Sequence, residues 1–330
     1  MEISKEFIRA SKARLEFGDS RSLSRRFARG ELVRVRHGVY LEKSTWLELT
    51  PWARYLNTAQ AIALEQPNAT FCFETAGRIW QMCLVGIPQE VHIANASKGH
   101  AGRSQSTTSS VDIAGSRRTV ERTPGFGVYR HFYAAPFVMQ NGFRVTPLAQ
   151  TAVDLLGKLP FAQAVTAADH VISSDRFGAH ALSRETLTLA ATGLKSATKC
   201  SRITEILDFA DADSGSAGES ISRANMHLLG FPPPELQTNF TDSQGFAGRS
   251  DFFWRAQRLI GEFDGAAKYL NDEYLSGRTA RETVLLEKKR EDRLRAMGYR
   301  VVRWDWSTAI DPNKLMRTLL AAGLKPQNSP

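Results

Sequence analysis

Apolar positions recur at helical spacing through much of the chain and at strand spacing in a few short runs. Phe7, Ile8 and Leu15 predict a helix over residues 3–15, and Gly18-Asp19-Ser20 supplies a stop followed by a fresh N-cap. Residues 21–29 predict a second helix, with Arg21, Arg25, Arg26 and Arg29 set around the apolar pair Leu23 and Phe27, and Gly30 as its C-terminal stop. Residues 32–41 alternate in their first half and turn at His37-Gly38, the pattern of a small β-ribbon. Thr50-Pro51 opens a helix to about residue 65, with Trp52, Tyr55, Leu56, Ala59 and Ile62 along one side. Further helices are expected over 71–84, 147–156, 161–173, 184–192 and 198–210, and strands over 90–94, 128–133 and 143–145. Residues 95–110, rich in Ser, Gly, Lys and Arg, read as a mobile loop, and residues 211–218 as a small polar linker.

The pattern changes in the last third. Ser216-Ala-Gly-Glu219 is a capping box opening a helix to about residue 229, which Gly230 and Pro232-Pro233-Pro234 end. A strand over 235–241 and a turn over 242–245 lead to two apolar runs, GRSDFFW at 248–254 and LIGEFDGAAKY at 259–269. Their aromatic and β-branched residues suit strands, and the four residues between them leave room only for a turn, so they predict an antiparallel hairpin. A symmetric loop pairs positions whose numbers sum to 513, which sets Asp251 across from Glu262. A helix over 279–297 and a strand over 299–304 complete the order α-β-β-β-α-β.

Alternation puts Asp251, Glu262 and Asp264 on one face of this hairpin and Phe263 on the other. Two carboxylates about 5 Å apart repel by ~3 kcal/mol at an effective dielectric near 20, a cost that calls for compensation. Clustered oxygen ligands suit a hard cation, Mg²⁺ or Mn²⁺, with phosphate and water completing its shell.

Composition narrows the rest. A chain of 330 residues, 42% hydrophobic and 23% charged, has the make-up of a folded protein of two or three domains. No apolar run approaches the ~18 residues of a membrane span and the N-terminus lacks a signal-peptide core, so a cytoplasmic protein with no membrane partner is expected. Cys72, Cys83 and Cys200 lie too far apart for a disulfide framework or a structural zinc site. His92, His131, His170 and His180 fall on separate elements without ligand spacing and read as structural. The net charge of +9 favours an anionic partner, and residues 1–40 hold more than half of it.

The N-terminal order, with RGELVRVRHGVYLE after the basic helix, resembles the winged-helix domain of AbiEi-type antitoxins, and the stretches FETAGRIWQMCLVGIPQEVHIA and TPLAQTAVDLLGKLPFAQAVTAADHVI resemble the body that follows it. The resemblance implies DNA as partner, the 21–29 helix in the major groove, and Arg34, Arg36 and His37 on the wing touching backbone or minor groove. The alternative is a small α/β module with a solvated basic face.

Residues 216–323, through SDFFW, LIGEFDGAAKY, EKKREDRLRAMGY and VVRWDW, resemble the PD-(D/E)XK nuclease superfamily in its branch related to very-short-patch-repair endonucleases. That resemblance implies Mg²⁺-dependent hydrolysis of a DNA phosphodiester, with Asp251 as the motif Asp, Glu262 as the following acid and Glu219 as the acid from the first helix. The sequence departs from the family where the lysine belongs, since position 264 is Asp; Asp264 then becomes a further metal ligand and Lys268 a substitute cation. The run 287–295 reads as a solvated helix face with pairs such as Lys288 to Asp292 and Glu291 to Arg295, and Arg303 as a phosphate contact.

The expected fold is therefore α/β multidomain: a winged helix-turn-helix over 1–45, a mixed α/β middle domain over 46–212, and an αβββαβ restriction-endonuclease-like core over 213–330. The expected function is that of a DNA-binding protein with a Mg²⁺-dependent endonuclease module, in a defence or toxin-antitoxin setting with a cognate toxin or defence partner. The alternative is a transcriptional regulator whose nuclease fold is catalytically idle.

Overall fold

The computed structural model describes residues 7–9, 20–114, 117–265 and 280–327. It is a mixed α/β chain of two compact units, one formed by residues 1–81 and 86–151 and the other by 82–85 and 152–330. The expected boundary at residue 45 falls inside the first unit, and that at 212 inside the second.

In the first unit, β1 (Ile8–Arg9), β2 (Leu32–Arg36), β3 (Val39–Glu42), β7 (Ser109–Ala114) and β8 (Arg117–Arg122) form an antiparallel sheet of order β1-β3-β2-β7-β8. The ribbon turning at His37-Gly38 forms as expected, with Gly38 at φ 69°. It is not a free wing, because β7 takes the other edge of β2 through Val33↔Ser110 and Arg34↔Ser109. The expected helix over 3–15 is corrected at Ile8–Arg9, which extend β3's edge through Ile8↔Tyr40. There Ile8 packs with Phe27 and Tyr40 beside Leu23 and Leu32, and that apolar contact overrides local helical spacing. The loop expected over 95–110 instead contains β6 (Gly102–Ser104) and the start of β7, whose backbones pair with distant strand edges at Arg130 and Arg34.

The helix Pro51–Glu65 starts at Thr50, whose hydroxyl accepts from Ala53 N–H, with Pro51 in the first turn where its missing N–H costs nothing. Ala61 joins the core of the five-stranded sheet, with Val33, Val35, Leu41 and Trp46. Tyr55, Leu56, Ala59 and Ile62 fill a second core with Phe71, Val91, Ile93 and Val145. That core lies against a mixed sheet of order β10-β11-β4-β5-β9-β6, in which β4 is Thr70–Phe71, β5 Glu90–Asn95, β9 Gly127–Phe132, β10 Val138–Gln140 and β11 Phe143–Val145. The helix expected over 71–84 shortens to Phe73–Ile79 because residues 70–71 are drawn into β4.

In the second unit the helix Phe161–Ile172 packs on Ala217–Leu228, and a buried ion pair joins them. Both oxygens of Asp169, fully buried, lie 2.9 Å from Arg223 Nη2, while Arg223 Nη1 donates to the Phe209 carbonyl at 2.8 Å. Asp169 Oδ1 also accepts Asp211 N–H, and Arg176 donates to the Ser214 carbonyl, so the expected linker is pinned at its start and in its middle. The sheet of this unit has order β12-β13-β14-β15, with β12 Glu235–Asp242, β13 Gly245–Trp254, β14 Leu259–Asp264 and β15 Arg300–Asp305. The first three strands form an antiparallel meander and β15 runs parallel to β14. One face carries Phe252, Trp254, Phe263 and Trp304 under the helix Ala217–Leu228; the other carries Phe253 and Ile260, against Leu294 of the helix Ala280–Ala296.

Candidate functional site

The hairpin register is the one the symmetric loop predicts: Phe252↔Gly261, Phe253↔Ile260 and Trp254↔Leu259 all sum to 513. Beyond these pairs Asp251 meets β14 through its side chain, whose Oδ2 accepts the Phe263 N–H at 2.8 Å, and its charge acts on Glu262. Glu262 and Asp264 alternate with Phe263, so both belong to the face covered by the helix Ala280–Ala296. Gly218 allows Phe263 to pack end-on against the opposite helix, since a Cβ there would stand 2.0 Å from the ring.

Compensation for the clustered acids comes from two guanidinium groups. Arg290 Nη2 lies 2.7 Å from Glu262 Oε1 and also donates to the Arg249 carbonyl, while Arg303 Nη2 lies 2.9 Å from Glu262 Oε2. Arg303 continues to Asp264 Oδ1 at 3.6 Å and to Glu291 Oε2 at 3.4 Å. The cations beside Glu262 are therefore the chain's own side chains. Arg303 faces carboxylates where a phosphate contact was expected. Arg290 comes from the run read as solvated, where Glu291 does pair with Arg295 as anticipated. Arg293 of the same run grips Asp242 with two bonds, at 2.6 and 2.8 Å. No local pattern marks Arg290 or Arg293 as inward-facing; only helix docking on the sheet selects them.

Glu219 is held elsewhere. Its Oε2 accepts from Gly215 N–H and from Gln237 Nε2, each at 2.8 Å, and its own N–H completes the capping box on Ser216. Gln237 was not anticipated. It sits at φ 49°, in the gap that β12 leaves opposite Asp251, between the pairs Leu236↔Phe252 and Thr238↔Ser250. A non-glycine residue in the left-handed region stores strain, and here the strain lies between Glu219 and the acid strand. Lys268 lies outside the described residues. Among the described residues no group of three or more His, Cys, Asp or Glu side chains is gathered as a metal site. In this arrangement both oxygens of Glu262 are paired with arginine.

Two of the acids that meet arginine, Glu262 and Asp242, titrate in opposite senses. Burial pushes the Glu262 carboxyl above the usual carboxylate range; Arg290 and Arg303 oppose this, and the charge of Asp251 adds to it. Folded chain then holds a proton that unfolded chain has released, so this group's contribution to stability falls as pH rises from the ordinary carboxylate range through the raised value. Asp242 is held down to about 2, chiefly by the Arg293 hydrogen bonds, so its contribution is full above the ordinary range and disappears as pH falls toward 2. Urea midpoints measured from pH 3 to 8 are expected to show Glu262→Gln removing the first slope and Asp242→Asn the second.

The predicted DNA-contacting arginines have mixed surroundings. Arg25 is exposed on the helix Ser20–Ala28; of Arg21, only its place in that helix is described. Arg26 pairs with Glu31 at 3.0 Å and Glu42 at 2.5 Å, and Arg29 with Glu31 at 2.6 Å. Arg34 stacks over Phe27, with its guanidinium carbon 5.3 Å from the ring centre. Arg36, only 8% exposed, pairs with Glu65 at 2.8 Å and joins the wall of the core rather than a wing surface.

The sequence matches no family model and no curated protein. Among solved structures, it aligns weakly with the crystal structure of the RV2827C protein from Mycobacterium tuberculosis, at 14% identity and a TM-score of 0.36 over 66% of this chain and 75% of that one.

Two further observations concern the histidines. His170 is pushed down to about 4 by burial and the nearby Arg176 charge, which keeps it neutral at physiological pH, in line with a structural role. His92 Nδ1 and His131 Nε2 lie 2.8 Å apart, a contact between β5 and β9 that spacing along the chain does not reveal. Among the described residues no helix is long and apolar enough to cross a membrane.

Proposed function

We propose that the protein is a DNA-binding regulator whose second unit keeps a PD-(D/E)XK-type frame with the acid site closed by its own arginines. The observation that carries this reading is the pairing of Glu262 with Arg290 and Arg303, which places fixed cations where a nuclease would recruit a metal. Support for DNA comes from the net charge of +9 and from exposed arginines on the first unit, Arg25 among them. A toxin or defence partner is part of the same proposal and rests on the sequence resemblance alone.

A second reading, a Mg²⁺- or Mn²⁺-dependent endonuclease, draws on the αβββαβ order and on the nearness of Asp251, whose charge acts on Glu262. In it the chain's own residues would orient a DNA phosphate at Arg303 and hold the acids in register. One experiment separates the two. The full chain is incubated with labelled duplex, with and without Mg²⁺ or Mn²⁺, and both binding and cleavage are read. The regulator reading expects salt-sensitive binding without cleavage, and Arg25→Ala reducing the salt slope by about 1. Metal-dependent cleavage that disappears in Asp251→Ala and Glu262→Ala would replace it with the second reading.

A further inference from the structure

No element is expected from sequence between residues 110 and 128, where most of a β-ribbon forms. β7 and β8 pair through Ser109↔Arg122, Val111↔Val120 and Ile113↔Arg118 on one face, and through Ser110↔Glu121, Asp112↔Thr119 and Ala114↔Arg117 on the other. All of β8 is exposed, as is β7 from Asp112 onward. The ribbon's two acids, Asp112 and Glu121, share one face; the other pairs Arg118 and Arg122 with the apolar Ile113 and Val120.

That acid-free face continues the side of the sheet on which the basic helix lies. Arg34 is the cross-strand neighbour of both Tyr40 and Ser109, and Ser109 that of Arg122, so all four side chains share one face. Phe27 of the helix Ser20–Ala28 meets Tyr40 at 6.0 Å between ring centres and underlies Arg34. Gly30, just past the helix, approaches β7 so closely that a Cβ there would stand 2.9 Å from the Val111 carbonyl oxygen. Helix and ribbon therefore stand side by side, with Arg25 on one and Arg118 and Arg122 on the other. Arg122 donates to the neutral amide of Gln105 at 2.7 Å, and among the described residues no carboxylate pairs with it.

We propose that this face of the β7–β8 ribbon is a second duplex-DNA contact, with Arg118 and Arg122 on backbone phosphates beside the helix Ser20–Ala28. The proposal rests on the DNA-binding reading above and adds where the duplex lies. Charges on an edge strand also discourage strand-to-strand aggregation, but that role is served by either sign on either face. Segregation of both acids to the far face is what an anionic ligand on the near face requires. A two-stranded ribbon has the width a major groove admits, and exposed apolar tips between arginines suit sugar and thymine-methyl contacts.

The test is fluorescence anisotropy of a labelled mixed-sequence duplex against the full chain over a salt series. Arg118→Ala/Arg122→Ala is expected to weaken binding and lower the slope of log K on log salt by about 2, near 0.9 for each phosphate lost. Arg118→Lys/Arg122→Lys should retain the slope, and Arg117→Ala, on the far face, should leave it unchanged. If the wild type binds and Arg25→Ala weakens it while the double alanine variant behaves as wild type, the ribbon contact is overturned and the DNA reading stands. If the wild type does not bind duplex at low salt, both are overturned. An equal loss from Arg117→Ala would overturn the face assignment.

Discussion

Asp169→Ala is expected to lower stability by about 3–5 kcal/mol, the cost of leaving a buried charge without its partner. Arg223 is 8% exposed and its Nη2 meets both oxygens of Asp169, so truncation strands a guanidinium between the helices Phe161–Ile172 and Ala217–Leu228. The backbone of Asp211 loses its acceptor at the same time. Chemical denaturation of the full chain measures the effect. Replacing both members by apolar residues of similar size, as in Asp169→Leu/Arg223→Met, should recover most of the loss, because well-packed hydrophobic groups substitute for a buried pair at little cost. A loss below about 1 kcal/mol in the single variant would mean that water reaches Arg223 and solvates its charge.

Arg303→Ala is the second large effect, expected near 3 kcal/mol at neutral pH. Its guanidinium is three-quarters covered and meets Glu262, Asp264 and Glu291 together, so its removal exposes the three carboxylates to one another while Arg290 still holds one oxygen of Glu262. Loss of the cation raises the Glu262 carboxyl further above its ordinary range. Protonation then relieves the uncompensated charge as pH falls from neutrality toward the raised value, and the difference from wild type should shrink with it. A difference that stays constant over that range would show that Glu262 keeps a full partner and that Arg290 alone neutralises it. The experiment bears on function as well, because it measures how firmly the acid site is closed.

The two variants probe what sequence reading did not reach. Asp169 and Arg223 lie 54 positions apart on helices whose apolar spacing was correctly read, and neither helix carries a signal that a charge on it is buried. Arg290 and Arg293 sit in a dense charge run, and such runs are solvated as a rule. A run of 17 helical residues puts some charges toward the sheet, and which ones depends on the docking angle of the helix. Gln237 is equally silent, since a backbone at φ 49° leaves no mark in residue type when the residue is not glycine.

Local alternation and turn length determined the carboxylate hairpin down to its register, because a four-residue turn and an apolar face leave only one pairing that keeps Phe252 and Trp254 inside. The capping box at Ser216 and the proline start at Pro51 were likewise determined locally, each by hydrogen bonds within a single turn. Tertiary structure alone decided the partners of the charges. It placed Arg290 and Arg303 on Glu262, Arg36 on Glu65 and Arg223 on Asp169, and it set the β7–β8 ribbon beside the basic helix. The physical reason is range. Alternation and capping act over a few residues, whereas the partner of a buried charge is chosen by whichever distant element packs over it.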